Sequence, residues 1–566
     1  MDEDSNERTD VKTYGYYFLG SIVVTERDGI KYIVDGQQRL TTLILLFIFL
    51  KTLQEEQKRP DQVNINNLIY SEKYGKKSYN LEDSDDIWRE KCFDALYHNE
   101  DFDINDKAET IRNIILRYKD IEDLFPESLQ KKALPFFIEW LRDKVQLIEI
   151  IASTNDDAYT IFETMNDRGL SLKPVEMLKG YLLSNIKNND LRNKANNFWK
   201  EKMLELNNIN KEEDSNFIKA WLRAKYAETI RERKKNAVNR DFERIGTEFH
   251  KWLRDHKEKL TLKKSEDFEN FIMKKIEKFS KYYILIKKAS EEFNPKLDYI
   301  YYNACFNFTL QYPLILAPIK LEDDDKIIIK KIKLVSAYID MYIARRIINY
   351  KTIRYSSIQY TMFTLIKEIR DLDLKDLATL LKNRIEDMDE DFNAVVNFKL
   401  HSQNKKKIHN LLARITYFIE YKSNIASNFE KYISREIKKP FEVEHIWSIK
   451  YEDHKDEFKT EEEFLAYRQN FGNFLLLPKD FNQSFGADPY EKKVVEYFGQ
   501  NILAKSLNKT CYEKNPSFLK FIKESGLPFK PHEKFKKKDL DARQELYRQI
   551  CDYLWNPLVL DDILNE

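Results

Sequence analysis

The scarcity of helix-breaking residues constrains the fold of this chain more than any other feature of its sequence. Only 12 glycines and 14 prolines occur among its 566 residues. Lysine, glutamate, isoleucine and leucine are plentiful, and because these residues tolerate helices well, the composition predicts long helices. Hydrophobic residues make up 42% of the chain and supply enough material for real cores. The length predicts about three domains.

The charge balance and the cysteine spacing narrow the class of protein. The 95 basic and 95 acidic residues cancel, which argues against a protein that coats nucleic acid but does not exclude a local basic groove. The four cysteines form no C-x-x-C pair, so we expect neither a zinc ribbon nor a disulfide framework. The start of the chain is acidic, unlike a signal peptide, and the apolar run 40–50 is too short to span a bilayer. We therefore expect a cytoplasmic protein with no membrane partner.

The first part of the chain predicts a strand–turn–helix unit. Residues 16–34 are β-rich and contain the turn signal Asp28-Gly29, which predicts a β-hairpin. The apolar run that follows predicts a helix over 37–50, and a further strand is expected at 145–151. Pro174 suits the first turn of a later helix.

The rest of the chain divides into a helical middle and a mixed C-terminal part. Residues 190–425 have amphipathic helical periodicity, and basic runs such as 405–407 predict solvated helix faces, of which a subset would suit a nucleic-acid groove. Beyond Pro440 the pattern changes to short strands and helices, expected as strands at 441–449 and 471–477 and helices at 488–498 and 539–555.

The C-terminal part contains the residue types that nuclease chemistry requires. A histidine can activate water because its pKa lies near neutrality, and carboxylate and amide oxygens suit Mg²⁺. Glu444 and His445 end a predicted strand, Asn473 precedes the next strand, and Asn482 and Lys492-Lys493 follow. Against this, an isolated Glu-His pair is common and most histidines are structural or exposed.

The stretches E-H-I, F-G-N-F-L-L-L, F-N and Y-E-K-K resemble the C-terminal domain of the GmrSD-type modification-dependent restriction endonucleases, an HNH (ββα-metal) nuclease domain. The resemblance implies that His445 is the general base and that Glu444 and Asn482 hold Mg²⁺ or Mn²⁺. It also implies that Asn473 pins the loop between the strands and that Lys493 faces a phosphate. Lys492 is the competing alignment for Lys493. Trp447 departs from the family, where proline is frequent at that position.

The N-terminal motif D-G-Q-Q-R lies where a predicted strand enters a helix. Backbone N–H groups at a helix N-terminus can bind phosphate, and the Arg39 guanidinium would add charged hydrogen-bond donors. Alternatively, Asp35 caps the helix and the glutamines are turn residues. The stretches Y-F-L-G-S-I, D-G-Q-Q-R-L-T-T-L and F-E-T-M-N-D-R-G-L-S-L resemble the N-terminal domain of the same family, which has a ParB/sulfiredoxin-like fold and binds and hydrolyses nucleoside triphosphates. The residues that would bind nucleotide are Asp35, Gly36, Gln37, Gln38, Arg39, Asn166, Arg168 and Gly169.

The N-terminal match departs from the family at its beginning. Family members carry an earlier segment with a Gln-Arg and an aromatic pair, and residues 1–15 do not match it. We therefore expect a truncated or split family member with weak or absent nucleotide hydrolysis.

Together these features predict a mainly helical α+β protein with three parts. Residues 1–185 would form the nucleotide-binding sensor domain, 186–425 a helical middle and 426–566 the HNH nuclease domain. The expected function is modification-dependent DNA cleavage in anti-phage defence, gated by a nucleotide, with modified DNA and a nucleoside triphosphate as partners. The alternatives are a DNA- or nucleotide-binding sensor with an inactive nuclease site and a toxin-like RNase.

Overall fold

The computed structural model divides the chain into two compact units, Met1–Leu172 and Lys173–Glu566. It describes residues 8–27, 29–73, 76–82, 87–103, 109–154, 157–158, 161, 173–485 and 488–566. The described part is predominantly helical with a few short sheets, consistent with the mainly helical α+β class that the sequence predicted. The predicted three-part division stays a prediction, and its second boundary, at 425/426, falls inside the second compact unit.

The first unit contains a three-stranded sheet in the order β2-β1-β5 and a separate two-stranded ribbon of β3 and β4. The predicted hairpin is confirmed by the antiparallel pairing of β1 with β2, and the later predicted strand is confirmed as β5, which runs parallel to β1. Asp28 of the predicted turn lies outside the described residues. The strands are β1 (Tyr17–Arg27), β2 (Ile30–Asp35), β3 (Tyr70–Lys73), β4 (Lys76–Tyr79) and β5 (Val145–Ala152).

The helices of the first unit pack around the apolar helix that follows the hairpin. This helix runs over Gln37–Glu56, longer than predicted, and buries Ile48 and Leu50 completely. Its other core partners include Phe93, Leu134 and Ile138. The remaining helices are Asn66–Ile69, Ile87–Tyr97, Glu109–Leu124, Glu127–Gln130 and Leu134–Lys144, with a 3₁₀ turn at Arg8–Thr13.

The second unit begins with a long series of helices, which confirms the predicted helical middle. Pro174 starts the first of them, as its fixed φ predicted. None of the described helices combines the length and apolarity of a bilayer-spanning segment. The helices before the C-terminal strands are Pro174–Ser184, Asn189–Asn207, Glu213–Tyr226, Asp241–Asp255, Ser265–Asn270, Glu277–Glu291, Asp298–Cys305, Gln311–Leu316, Asp325–Ile348, Tyr355–Ile369, Leu374–Glu386, Lys405–Lys422 and Glu430–Ile433, with a π turn at Phe271–Ile276 and a 3₁₀ turn at Phe392–Asn397.

The C-terminal strands β6 (Phe441–His445) and β7 (Phe474–Pro478) form an antiparallel pair. Both are shorter than predicted, and β7 starts late because Phe471–Asn473 forms a 3₁₀ turn before it. The predicted helices at 488–498 and 539–555 are confirmed within one or two residues. The helices of this part are Glu461–Arg468, Lys479–Phe485, Tyr490–Tyr497, Ile502–Lys505, Cys511–Lys514, Pro516–Ser525, Lys537–Leu554 and Leu558–Asn565, with a 3₁₀ turn at Tyr451–His454.

A buried polar network joins the helical series to the C-terminal end of the second unit. The Arg414 guanidinium is 6% exposed and lies 3.4 Å from the Asp340 carboxylate. Trp555 donates its indole N–H to the same Asp340 oxygen at 2.9 Å. Three segments that are distant in sequence therefore share one core. The C-terminal strands pack against the middle helices.

The turn before β7 is packed directly against the backbone of helix Lys537–Leu554. A Cβ on Gly472 would lie 2.6 Å from the backbone nitrogen of Gln544. The Gln544 side chain accepts a hydrogen bond from the Gly472 N–H, and Tyr547 donates to the Phe474 carbonyl at 2.7 Å. Glycine at position 472 is therefore what allows the helix to approach.

We predict that Gly472→Ala lowers the free energy of unfolding by about 1–3 kcal/mol, because the added methyl group must displace backbone in a packed core. Thermal denaturation measures the loss. Gly499→Ala is the matched control, since its Cβ would lie 3.6 Å from the nearest atom, the Glu496 carbonyl oxygen. Equal stability of the two variants would contradict the close approach at Gly472.

Candidate active site

His445 lies at the last position of β6, opposite Phe474 at the start of β7. The two rings pack edge-on with centroids 4.8 Å apart. Helix Lys479–Phe485 begins immediately after β7. The structure thus brings the predicted histidine to the end of a two-stranded antiparallel ribbon that is followed by a short helix.

Asn473 is fully buried and forms hydrogen bonds to the segment that follows β6 and to the segment that precedes β7. Its side-chain oxygen accepts the Trp447 N–H at 3.0 Å, and its amide nitrogen donates to the Arg468 carbonyl at 2.9 Å. Its backbone carbonyl accepts the Ile446 N–H at 2.9 Å. The loop that leaves His445 is therefore fixed to the turn that enters β7.

Trp447 is buried in a cluster of aromatic rings. Its indole N–H donates to the Phe535 carbonyl at 2.6 Å, and its ring lies 4.3 Å from that of His454 and 5.8 Å from that of Phe464. Its backbone N–H donates to the Asn473 side chain. The Trp447 side chain therefore adds packing to a loop whose backbone Asn473 orders.

Glu444 and Lys493 form a buried ion pair beneath the histidine. The Lys493 ammonium lies 2.8 Å from Glu444 Oε1 and donates to the His445 carbonyl at 3.0 Å. Burial raises the pKa of the Glu444 carboxyl, although Lys493 opposes the shift, and burial lowers the pKa of Lys493. This placement differs from the phosphate-facing position that the resemblance implied for Lys493. The neighbouring Lys492 is exposed.

The surroundings of His445 keep its ring uncharged. Burial, together with the positive charges of Arg468 and Lys493, lowers the pKa of its imidazole to about 3. Its Nε2 lies 3.4 Å from the Gln469 side-chain oxygen, a contact that suits a ring protonated on Nε2. A half-buried neutral imidazole retains a lone pair that can accept a proton.

Sequence reasoning did not identify Arg468 or Gln469 as part of this site. Helix Glu461–Arg468 brings both residues to the histidine, and the Arg468 Nε donates to the Ser448 carbonyl at 2.9 Å and to the Trp447 carbonyl at 3.2 Å. No local pattern marked them, because their role depends on how the helix packs against β6.

The donor types at the ribbon suit a divalent cation, although the described side chains do not surround one. The described part of the chain contains no group of three or more His, Cys, Asp or Glu residues placed to hold a metal. One oxygen of the Glu444 carboxylate accepts a hydrogen bond from Lys493. Asn482 lies in helix Lys479–Phe485, but its side chain is outside the described residues. Oxygen donors of this kind fit Mg²⁺ or Mn²⁺.

In the first unit, the D-G-Q-Q-R motif spans the end of β2 and the start of helix Gln37–Glu56. Asp35 is the last residue of β2, and Gly36 is the helix N-cap with a φ of 98°. A Cβ on Gly36 would lie 2.5 Å from Ile22 Cγ2, so this turn requires glycine. The Arg39 guanidinium donates to the Ser21 carbonyl of β1.

A cavity of about 530 Å³ lies beside Arg39 within this unit. Gln38, Tyr17 and Trp140 also line it, which combines polar donors with aromatic faces. Gln37 turns back and donates to the Ile33 carbonyl at 3.2 Å. The other residues predicted to bind nucleotide lie outside the described residues: Asn166, Arg168 and Gly169.

Comparison with known families gives a match in each part of the chain. Residues 4–183 match the N-terminal domain of the GmrSD restriction endonuclease, and residues 383–550 match the C-terminal domain of the GmrSD restriction endonucleases. The chain belongs to the GmrSD-type restriction endonuclease family. No curated protein gives a significant match. The C-terminal match of this GmrSD-type protein begins before helix Lys405–Lys422, which packs against both β6 and β7.

We predict that Lys493→Met lowers the free energy of unfolding by about 3–5 kcal/mol, because it leaves the Glu444 carboxylate buried without a counter-charge. Urea denaturation measures the loss. The double variant Glu444→Gln with Lys493→Met is expected to recover much of it, since no unpaired charge remains. A Lys493→Met variant as stable as the wild type would show that the pair is not buried as described.

Proposed function

We propose that this GmrSD-type restriction endonuclease cleaves DNA at an HNH (ββα-metal) site in which His445 is the general base. The observation that carries the proposal is the position of His445 at the end of β6, in a ribbon whose second strand leads into the helix that contains Asn482. The family assignment makes DNA the substrate.

In the proposed reaction, His445 removes a proton from a water molecule whose oxygen attacks the phosphorus atom. The new P–O bond forms as the bond to the leaving oxygen breaks, and the imidazole passes the proton to solvent, from which the leaving oxygen is protonated. Asn473 positions the loop beyond the histidine through its two amide hydrogen bonds. Lys493 acts as a positioning residue, because it binds both the Glu444 carboxylate and the His445 carbonyl.

A divalent cation, Mg²⁺ or Mn²⁺, is part of the proposal, with Glu444 and Asn482 as the residues that would hold it. When bound, such an ion supplies positive charge at the phosphate. The support is the oxygen donor type of these two residues and the family assignment.

We also propose that the first unit has a ParB/sulfiredoxin-like fold, binds a nucleoside triphosphate and gates cleavage. The support is the glycine-capped helix N-terminus, the cavity beside Arg39 and the aromatic faces of Tyr17 and Trp140. The biological role that follows is cytoplasmic restriction of phage DNA with modified bases.

Nicking of supercoiled plasmid DNA with Mg²⁺ tests the proposed base. His445→Ala is expected to reduce nicking by at least about a hundredfold, the usual scale for loss of a general base, while DNA affinity stays within about twofold. His98→Ala is the matched control, because His98 is an exposed histidine of the first unit. Equal nicking by the wild type and His445→Ala would refute the assignment.

Removal of divalent cations tests the metal requirement. With EDTA we expect nicking to stop and DNA binding to remain, and Mg²⁺ or Mn²⁺ in excess to restore nicking. Undiminished cleavage in EDTA by a preparation that binds DNA would contradict a metal-dependent site.

Phosphate release from a nucleoside triphosphate tests the first unit. Arg39→Ala is expected to lower release by about tenfold or more, because a charge-assisted contact to phosphate is lost. Arg117→Ala is the control, since Arg117 is exposed and only pairs with Asp120 on the surface at 2.7 Å. Phosphate release that is unchanged in the Arg39→Ala variant would refute the proposed nucleotide site.

A further inference from the structure

A second cavity, of about 660 Å³, lies in the second unit between helix Lys405–Lys422 and strand β6. Val443 lines it, two residues before His445 on the same strand. We call this space the basic cavity; the residues that matter to its chemistry are Lys405, Lys406, His409, Arg435 and Glu442.

The lining of the basic cavity carries an excess of positive charge. Lys405 and Lys406 are exposed, and neither forms an ion pair with another residue in the described ranges. The Arg435 guanidinium is held at the rim by its hydrogen bond to the Phe441 carbonyl at 3.2 Å. Three cations therefore face one carboxylate, that of Glu442. By contrast, Lys439 nearby along the chain pairs with Asp480 at 2.5 Å.

His409 adds a buried, uncharged polar group to the lining of the basic cavity. His409 is 4% exposed, and its Nε2 lies 2.7 Å from the Tyr432 carbonyl. Its Nδ1 makes no hydrogen bond to any residue that the structure describes. Burial lowers the pKa of His409 to about 4, so the ring is neutral at neutral pH and Nδ1 can accept a hydrogen bond. The volume falls in the range of about 300–1,000 Å³ typical of small-ligand sites.

The position of the lysines in their helix also favours an anion. Lys405 is the first residue of helix Lys405–Lys422. Cations at a helix N-terminus oppose the helix dipole, whereas an anion there is stabilised by the free N–H groups. A bound phosphate would relieve this repulsion. Lys405 also lies near enough to His445 for its charge to help lower the pKa of that imidazole.

We propose that the basic cavity binds a phosphodiester of the DNA strand being cut, adjacent to the scissile bond, with the attached nucleoside inside the cavity. The proposal rests on the proposed function, because His445 defines where the scissile phosphate lies. Lys405, Lys406 and Arg435 bind the phosphate, and His409 faces the nucleoside.

The test compares two charge-matched double variants of the full chain. Lys405→Gln with Lys406→Gln removes the two unpaired cations of the basic cavity. Lys520→Gln with Lys523→Gln removes two exposed lysines from helix Pro516–Ser525. Phe521 of that helix packs on Phe418, with ring centroids 6.4 Å apart. Phe418 lies roughly 20 Å along its helix from Lys405, at 1.5 Å per residue.

DNA affinity is measured by fluorescence anisotropy with a short duplex, without divalent cation, over a series of salt concentrations. We expect the Lys405→Gln/Lys406→Gln variant to bind about ten- to thirtyfold more weakly near physiological salt. We also expect its affinity to fall less steeply with salt concentration, by the amount that the loss of up to about two phosphate contacts would cause. The control variant is expected to bind like the wild type. Lys405→Arg with Lys406→Arg, which keeps the charge, is expected to retain affinity.

Two results would overturn the proposal. One is equal DNA affinity and salt dependence in the cavity variant and the control variant. The other is a cavity variant that loses affinity for a free nucleoside triphosphate but not for the duplex. These outcomes are separate from failure of the proposed function, because binding is measured without cleavage and the His445→Ala variant reports cleavage independently.

Discussion

The buried carboxamide of Asn473 is the interaction on which the candidate site depends. One end of the amide holds the Trp447 N–H and the other end holds the Arg468 carbonyl, so the chain after β6 and the end of helix Glu461–Arg468 are fixed together. Because the group is fully buried, loss of either partner would leave a polar atom unsatisfied. The fold therefore tolerates little change in this loop, and the same hydrogen bonds fix the position of His445.

The Glu444–Lys493 pair adds a second constraint of a different kind. A buried ion pair costs desolvation energy and contributes little net stability, but breaking it leaves an expensive unpaired charge. The Lys493 ammonium also binds the His445 carbonyl, so helix Tyr490–Tyr497 is tied to the end of β6. Both constraints are anchored in the same core as the middle helices, through helix Lys405–Lys422, which packs on β6 and β7.

Local sequence patterns predicted the secondary-structure elements better than they predicted the surroundings of the candidate active site. The hairpin of β1 and β2 and the helical middle follow from periodicity and turn signals. The buried position of Lys493 and the contacts of Gln469 and Arg468 could not be predicted, because they depend on how separate helices pack against β6. For the same reason, the sequence favoured a solvated helix face for the basic run that contains Lys405, whereas in the structure Lys405 lines a cavity beside β6.

Chemical rescue of His445→Ala tests the proposed base most directly. With Mg²⁺ and a plasmid substrate, the account predicts that the variant nicks DNA far more slowly than the wild type and that added imidazole restores nicking in proportion to its concentration, because a free base replaces the missing side chain. The control is the wild type, which imidazole should not accelerate. A His445→Ala variant that nicks at the wild-type rate without imidazole would contradict the account.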